Sequence, residues 1–156
     1  MSKYNIEIGK GLGAIHFGQT KQEVKALLGD PTDQDLYNLS DEEDGFLTET
    51  WHFDEAEISL SFDEEDNWRL TTITTSHGES QINGKRIMNL TINDLDRLVD
   101  LSEFGACELD DLSDGNINQK CYSFIERSLN LWFVDDRLTE IQWGVLWEDE
   151  DTPLWP

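Results

Sequence analysis

The chain has 156 residues, with 11 Lys and Arg against 34 Asp and Glu, for a formal net charge of −23. That length suits one domain, or two small halves sharing a core, and a 37% hydrophobic content that includes six Trp can bury such a core. The charge excludes partners held by cationic patches: nucleic acid, whose affinity comes from Lys and Arg displacing counterions, and anionic membrane surfaces. The expected partner is instead a basic protein, because complementary charge speeds encounter. No apolar run approaches the ~18 residues of a membrane span. Residues 1–11 (MSKYNIEIGKG) carry no signal-peptide pattern, so the expected compartment is the cytoplasm.

In chain order, GKGLG at 9–13 is Gly-rich but lacks the phosphate-loop spacing, and it reads as a turn before the strand-like 14–17. Thr20 with Glu23 three residues on forms a capping box. Val24, Leu27 and Leu28 then give a helical stripe, ended by Gly29 and Pro31. Residues 32–49 read as a long acidic loop that includes Asp41, Glu42, Glu43 and Asp44. Strands follow at 50–54 and 57–62, where Ile58, Leu60 and Phe62 alternate with Ser59 and Ser61. The acidic turn Asp63, Glu64, Glu65 and Asp66 leads to a Thr-rich strand at 68–76. A second helix starts at Thr91 with Leu95, Leu98 and Val99 as its stripe, followed by a second long loop at 105–120. Strands are expected at 121–125, 129–134 and 137–143, with a tight turn at Asp135-Asp136. The acidic segment 148–156 reads as a frayed tail, with Trp155 as the residue that could dock it.

The two halves match each other. Shifted by 71 residues, Trp51 falls on Tyr122, Phe53 on Phe124, and Ile58, Leu60 and Phe62 on Leu129, Leu131 and Phe133. The expected fold is therefore α+β: two tandem α-β-β-β repeats, 1–80 and 81–156 in one compact unit. Their helices would pack on one face of a shared antiparallel sheet.

Motifs for catalysis are not found. The three histidines, His16, His52 and His77, belong to no metalloprotease, nucleophile-elbow or phosphate-loop pattern, and neither Gly45 nor Gly115 sits in a calcium loop. No catalytic residue, metal site or cofactor is expected. Cys107 and Cys121 fit no zinc spacing and are expected as reduced thiols, with a disulfide open only in an oxidising compartment. Strand parity places His52 and Trp132 on the exposed sheet face among small polar residues. Trp132 is either a recognition residue or packed under 145–155. Trp143, Trp147 and Trp155 form an aromatic set beside the acids at 148–151.

Residues 17–31 (FGQTKQEVKALLGDP) resemble the helix signature of the small outer-membrane assembly lipoprotein family (BamE/SmpA), and an aromatic strand and a hairpin follow in the same order. The tandem arrangement resembles the beta-lactamase inhibitor protein family. That likeness implies two repeats that bind a target with a concave sheet, and a disulfide where Cys107 and Cys121 bracket the second long loop. The chain lacks a lipobox cysteine, and its first half lacks a cysteine pair. The expected function is an acidic inhibitor, an immunity protein occluding the active site of a basic, nuclease-type bacterial toxin. The alternative is a non-catalytic adaptor or scaffold. The expected contacts are Asp41, Glu42, Glu43, Asp44, His52, Asp63, Glu64, Glu65, Asp66, Trp132, Trp143 and Trp147. The chain itself is expected as a monomer or weak dimer.

Overall fold

The computed structural model describes residues 3–38 and 45–156. In the first half, β1 (Asn5–Glu7), β2 (Gly11–Leu12) and β3 (Ile15–His16) are short and precede α1 (Lys21–Leu28). Four longer strands follow: β4 (Asp33–Asn38), β5 (Leu47–Phe53), β6 (Ile58–Asp63) and β7 (Arg69–Thr75). The second half runs through β8 (Gln81–Ile82), β9 (Lys85–Arg86), α2 (Ile92–Val99), β10 (Glu108–Asp111), β11 (Gln119–Phe124), β12 (Leu129–Val134) and β13 (Arg137–Gly144). It closes with the hairpin β14 (Leu146–Trp147) and β15 (Pro153–Leu154).

Eight strands form one antiparallel sheet in the order β10-β11-β12-β13-β7-β6-β5-β4, unbroken where β13 pairs with β7. A second sheet has the order β3-β2-β1-β8-β9, and its β1–β8 pair is parallel, with Ile6 opposite Ile82. One core fills the space between them. Leu60, Phe62, Ile73, Leu131, Phe133 and Ile141 come from the large sheet, and Ile6, Leu12 and Ile82 from the small one. Val24, Leu95 and Val99 come from the helices.

The expected α+β fold of two α-β-β-β repeats under helices is not what forms. Strands account for 44% of the structure and helical turns for 18%. Each helix has eight residues, so it reaches only about 12 Å. Eight strands at ~4.8 Å spacing span about 34 Å. Two such helices cannot cover that sheet, and the five-stranded sheet takes part of the cover. α1 buries only Val24, leaving Leu27 and Leu28 exposed.

The capping chemistry at these helices is local and forms as the residues dictate. Glu23 N–H donates to Thr20 Oγ1, and Thr20 N–H donates to Glu23 Oε1, each at 3.2 Å. At α2 only the Thr91 half of that exchange is present, with Asp94 N–H donating at 3.2 Å. Asp94 is one methylene shorter than Glu.

Two segments expected as loops contain the edge strands of the large sheet. β4 lies inside 32–49 and β10 inside 105–120. The residues 33–38 (DQDLYN) show no alternation because most of the strand is exposed on both faces. Backbone pairing holds it to β5, in register from Asp33 opposite His52 to Asn38 opposite Leu47, helped by the side-chain contact of Asp35 with His52. Acidic side chains on both edge strands also discourage pairing with another chain. The tail is not frayed. Leu146 pairs with Leu154, and Trp155 packs against Gly18 and lies under Arg69, whose guanidinium is 5.6 Å from the ring centre. Among the described residues no helix is long and apolar enough to cross a membrane.

Candidate protein-binding face

Register determines what the outer face of the large sheet carries. One line of paired residues crosses all eight strands: Glu108, Ser123, Asn130, Gln142, Thr74, Ser59, His52 and Asp33. A second line on the same face runs Gly144, Thr72, Ser61, Thr50 and Asp35. A third runs Asp110, Cys121, Trp132 and Glu140. The face is therefore polar and acidic. The six inner strands turn their opposite side chains into the core, while the edge strands β4 and β10 are exposed.

Side-chain hydrogen bonds hold this face rigid. His52 Nδ1 meets Ser59 Oγ at 2.8 Å and His52 Nε2 meets Asp35 Oδ2 at 2.8 Å, while the Tyr37 hydroxyl donates to the same Asp35 oxygen at 3.1 Å. In the neutral ring that suits both neighbours, Nε2–H donates to the carboxylate and Nδ1 accepts the serine proton. Thr50 and Ser61 hydroxyls lie 2.9 Å apart, and Asn130 donates to Gln142 at 3.2 Å. Asp35, His52 and Ser59 are the residue types of a hydrolase triad. However, β6 is paired on both edges, with β5 and β7, so the backbone N–H groups beside Ser59 belong to the ladder. None remains there to hold an oxyanion.

The expected contact residues fall in several places. Asp41, Glu42, Glu43 and Asp44 lie outside the described residues. His52 and Trp132 share the outer face but are separated by β6, β7 and β13, about 19 Å at the usual strand spacing. Of the acidic turn, Asp63 accepts the hydroxyls of Thr48 at 2.6 Å and Thr71 at 2.7 Å, and Glu64 accepts the Leu47 N–H at 3.1 Å. Those two carboxylates tie the hairpin together. Glu65 is exposed, and the half-buried Asp66 has its carboxyl raised by burial and then by the charges of Asp63 and Glu65. Trp147 is 42% exposed at the rim of a hollow of about 480 Å³ beside Gly144, where β13 carries no outward side chain. Trp143 is not a contact residue. It is fully buried, because it shares the inward parity of Ile141 and pairs with Leu129 and Ile73.

Glu140 is the residue the sequence did not disclose. It is half-buried, opposite Trp132, and lines a hollow of about 310 Å³ with His52, Asp54, Glu57, Ser59 and Thr74. Among the described residues its carboxylate has no hydrogen-bond or ion-pair partner, and burial alone raises its pKa above the ordinary glutamate value. A raised folded-state pKa means that the charge opposes folding above that pKa and costs nothing once both states are protonated. Glu140→Gln is therefore expected to raise Tm at pH 7. The advantage should close as pH falls to about 4, near the ordinary glutamate value. Thermal unfolding of both proteins at the two pH values checks it, and a lower Tm for the variant at pH 7 would show that the carboxylate has a partner.

Cys107 is exposed and Cys121 buried, and both are free thiols, each raised chiefly by burial. The disulfide implied by the inhibitor resemblance is not formed. Among the described residues no group of three or more His, Cys, Asp or Glu is arranged to hold a metal ion. Comparison with family models, with curated proteins and with solved structures finds no match to this chain.

Proposed function

We propose that this chain is an acidic protein-binding inhibitor that docks a basic partner on the outer face of its eight-stranded sheet. The partner class that suits it best is a nuclease-type bacterial toxin, whose phosphate-binding cleft is cationic. The observation that carries the reading is the line of polar side chains crossing all eight strands. It is fixed by register and by the Asp35–His52–Ser59 bonds on a chain of net charge −23. A rigid polar surface loses little side-chain entropy on docking, and its carboxylates complement a cationic cleft. Occluding that cleft blocks phosphate access by bulk and by charge.

The test takes a basic polypeptide that this chain captures from lysate at low salt and titrates the pair calorimetrically in low and high salt. Affinity is expected to fall by roughly tenfold or more between 50 and 500 mM NaCl, since rim charges are screened over less than ~10 Å. Binding with no salt dependence, or no binding at all, would sink the reading.

A further inference from the structure

The large sheet ends in two edges that differ in how their polar groups are satisfied. On β4, Asp35 already meets His52 and the Tyr37 hydroxyl, and Asp33 Oδ1 accepts the Gln34 N–H. On β10, the Glu108 and Asp110 carboxylates have no hydrogen-bond or ion-pair partner among the described residues. Both stand on the outer face, two positions apart, in register with Ser123 and Cys121.

The backbone of β10 is open as well. The Leu112 N–H donates to the Gln119 carbonyl at 2.8 Å, which continues the register that pairs Asp110 with Cys121 and Glu108 with Ser123. In an antiparallel ladder such exchanging pairs alternate with residues whose N–H and C=O point the other way. The N–H and C=O groups of Leu109 and Asp111 therefore face the open edge, beyond which the sheet has no strand. Sheet edges are commonly closed by lysine, proline, a bulge or an overlying element. The run ELDD holds neither lysine nor proline, its register with β11 is continuous, and all four residues are exposed.

Leu109 adds an apolar contact. It shares the inward parity of Tyr122, Leu131 and Ile141, so it ends a core row with 52% of its surface exposed. A strand laid against β10 would set one residue opposite Leu109, extending that row, and its two neighbours opposite Glu108 and Asp110. The carboxylates repel a second copy of this chain, whose net charge is −23. They favour lysine or arginine, because opposite charges paired across strands stabilise a sheet.

We propose that the β10 edge takes up an extended segment of a partner protein in which basic and apolar residues alternate, added as a further strand of the sheet. The backbone groups of Leu109 and Asp111 supply the hydrogen bonds, Glu108 and Asp110 select the charge, and Leu109 sets which residue faces the core. This edge is separate from the outer face and does not require the docking proposed there.

The experiment is a nitrogen-15 HSQC titration of the whole chain at low salt with the peptide acetyl-Lys-Val-Lys-Val-Lys-amide. Saturable shifts and slowed hydrogen exchange are expected first at the Leu109 and Asp111 amides. The same peptide with every amide N-methylated should not bind, nor should acetyl-Glu-Val-Glu-Val-Glu-amide. Leu109→Pro removes an N–H that β11 does not use, a change an edge strand tolerates, and should weaken the lysine peptide by roughly tenfold with Tm retained. Glu108→Lys combined with Asp110→Lys leaves the backbone groups in place and should reverse the preference to the glutamate peptide. Equal binding of the N-methylated or acidic peptide, strongest shifts at β4 or on the outer face, self-association in place of peptide binding, or an unchanged preference in the double variant would overturn the proposal. A basic protein that shifts His52 and Thr74 but neither Leu109 nor Asp111 leaves the inhibitor reading standing and the edge refuted. Peptide seated on β10 with no basic protein on the outer face leaves the edge standing and the inhibitor reading refuted.

Discussion

Trp143→Ala is expected to lower the stability of this protein by about 3–5 kcal/mol, the range for emptying a large aromatic site in a core. Trp143 is the largest of the fully buried side chains, and it sits where β13 pairs with both β12 and β7. A domain of this size has roughly 5–15 kcal/mol in total, so the variant should unfold at a much lower urea concentration and populate the unfolded chain near 37 °C. The informative comparison is Trp143→Phe. The indole Nε1 is buried with no hydrogen-bond acceptor among the described residues. Replacing indole by phenyl removes packing but also removes an orphaned donor, whose burial costs about 1–3 kcal/mol. The two changes oppose each other, so the Phe variant should retain most of the stability that Ala loses. Equal urea midpoints for the two variants would show that Nε1–H has an acceptor, for example an ordered water.

Gly11→Ala is the second large effect, and it acts through the backbone. Gly11 has φ +154, and a Cβ there would collide with the Ile15 carbonyl oxygen in the partner strand β3. No rotamer change relieves a clash between a Cβ and a backbone oxygen, so the β2–β3 hairpin must part. Overpacking together with backbone strain puts the cost at about 3 kcal/mol or more. Leu12 and Ile15, each 4% exposed, would lose their cover over the large sheet. Gly84→Ala is the control. Its φ is +76, but no atom lies within 4 Å of the added carbon, so the expected cost is only about 1–2 kcal/mol of left-handed strain. Hydrogen exchange should show β1 to β3 opening in the Gly11 variant while β6, β7 and β13 stay protected. Equal Tm for the two variants would refute the clash.

Several features were legible in the residues because each depends on near neighbours. The alternation of Ile58, Leu60 and Phe62 maps directly onto the inward face of β6, and the same holds for Leu129, Leu131 and Phe133 on β12. Thr20 with Glu23, and the positive-φ turn at Asp135 and Asp136, are also local in origin. The strand placement of His52 and Trp132 on one outer face follows from the same period of two.

What lay beyond local pattern was decided by pairing. β4 and β10 are strands because a neighbour lends them hydrogen bonds, and an exposed edge leaves no hydrophobic period to read. Glu140 was hidden by a bulge. Thr139 is the extra residue between the pairs Trp132–Glu140 and Phe133–Leu138, so Leu138 and Ile141 both face inward although three positions apart. Counting alternate residues from Leu138 turns Glu140 into the core, counting back from Ile141 and Trp143 turns it outward, and the bulge decides for the second, beside Trp132.

The sequence by itself determined the charge, the helix caps and the inward stripes, since composition and near-neighbour periodicity need no third dimension. Only the tertiary structure decided that a second sheet, with its parallel β1–β8 pair, shares the cover that two eight-residue helices are too short to give. It alone buried Trp143 and left Glu140 without a counter-ion among the described residues, because burial and pairing depend on which strands lie side by side.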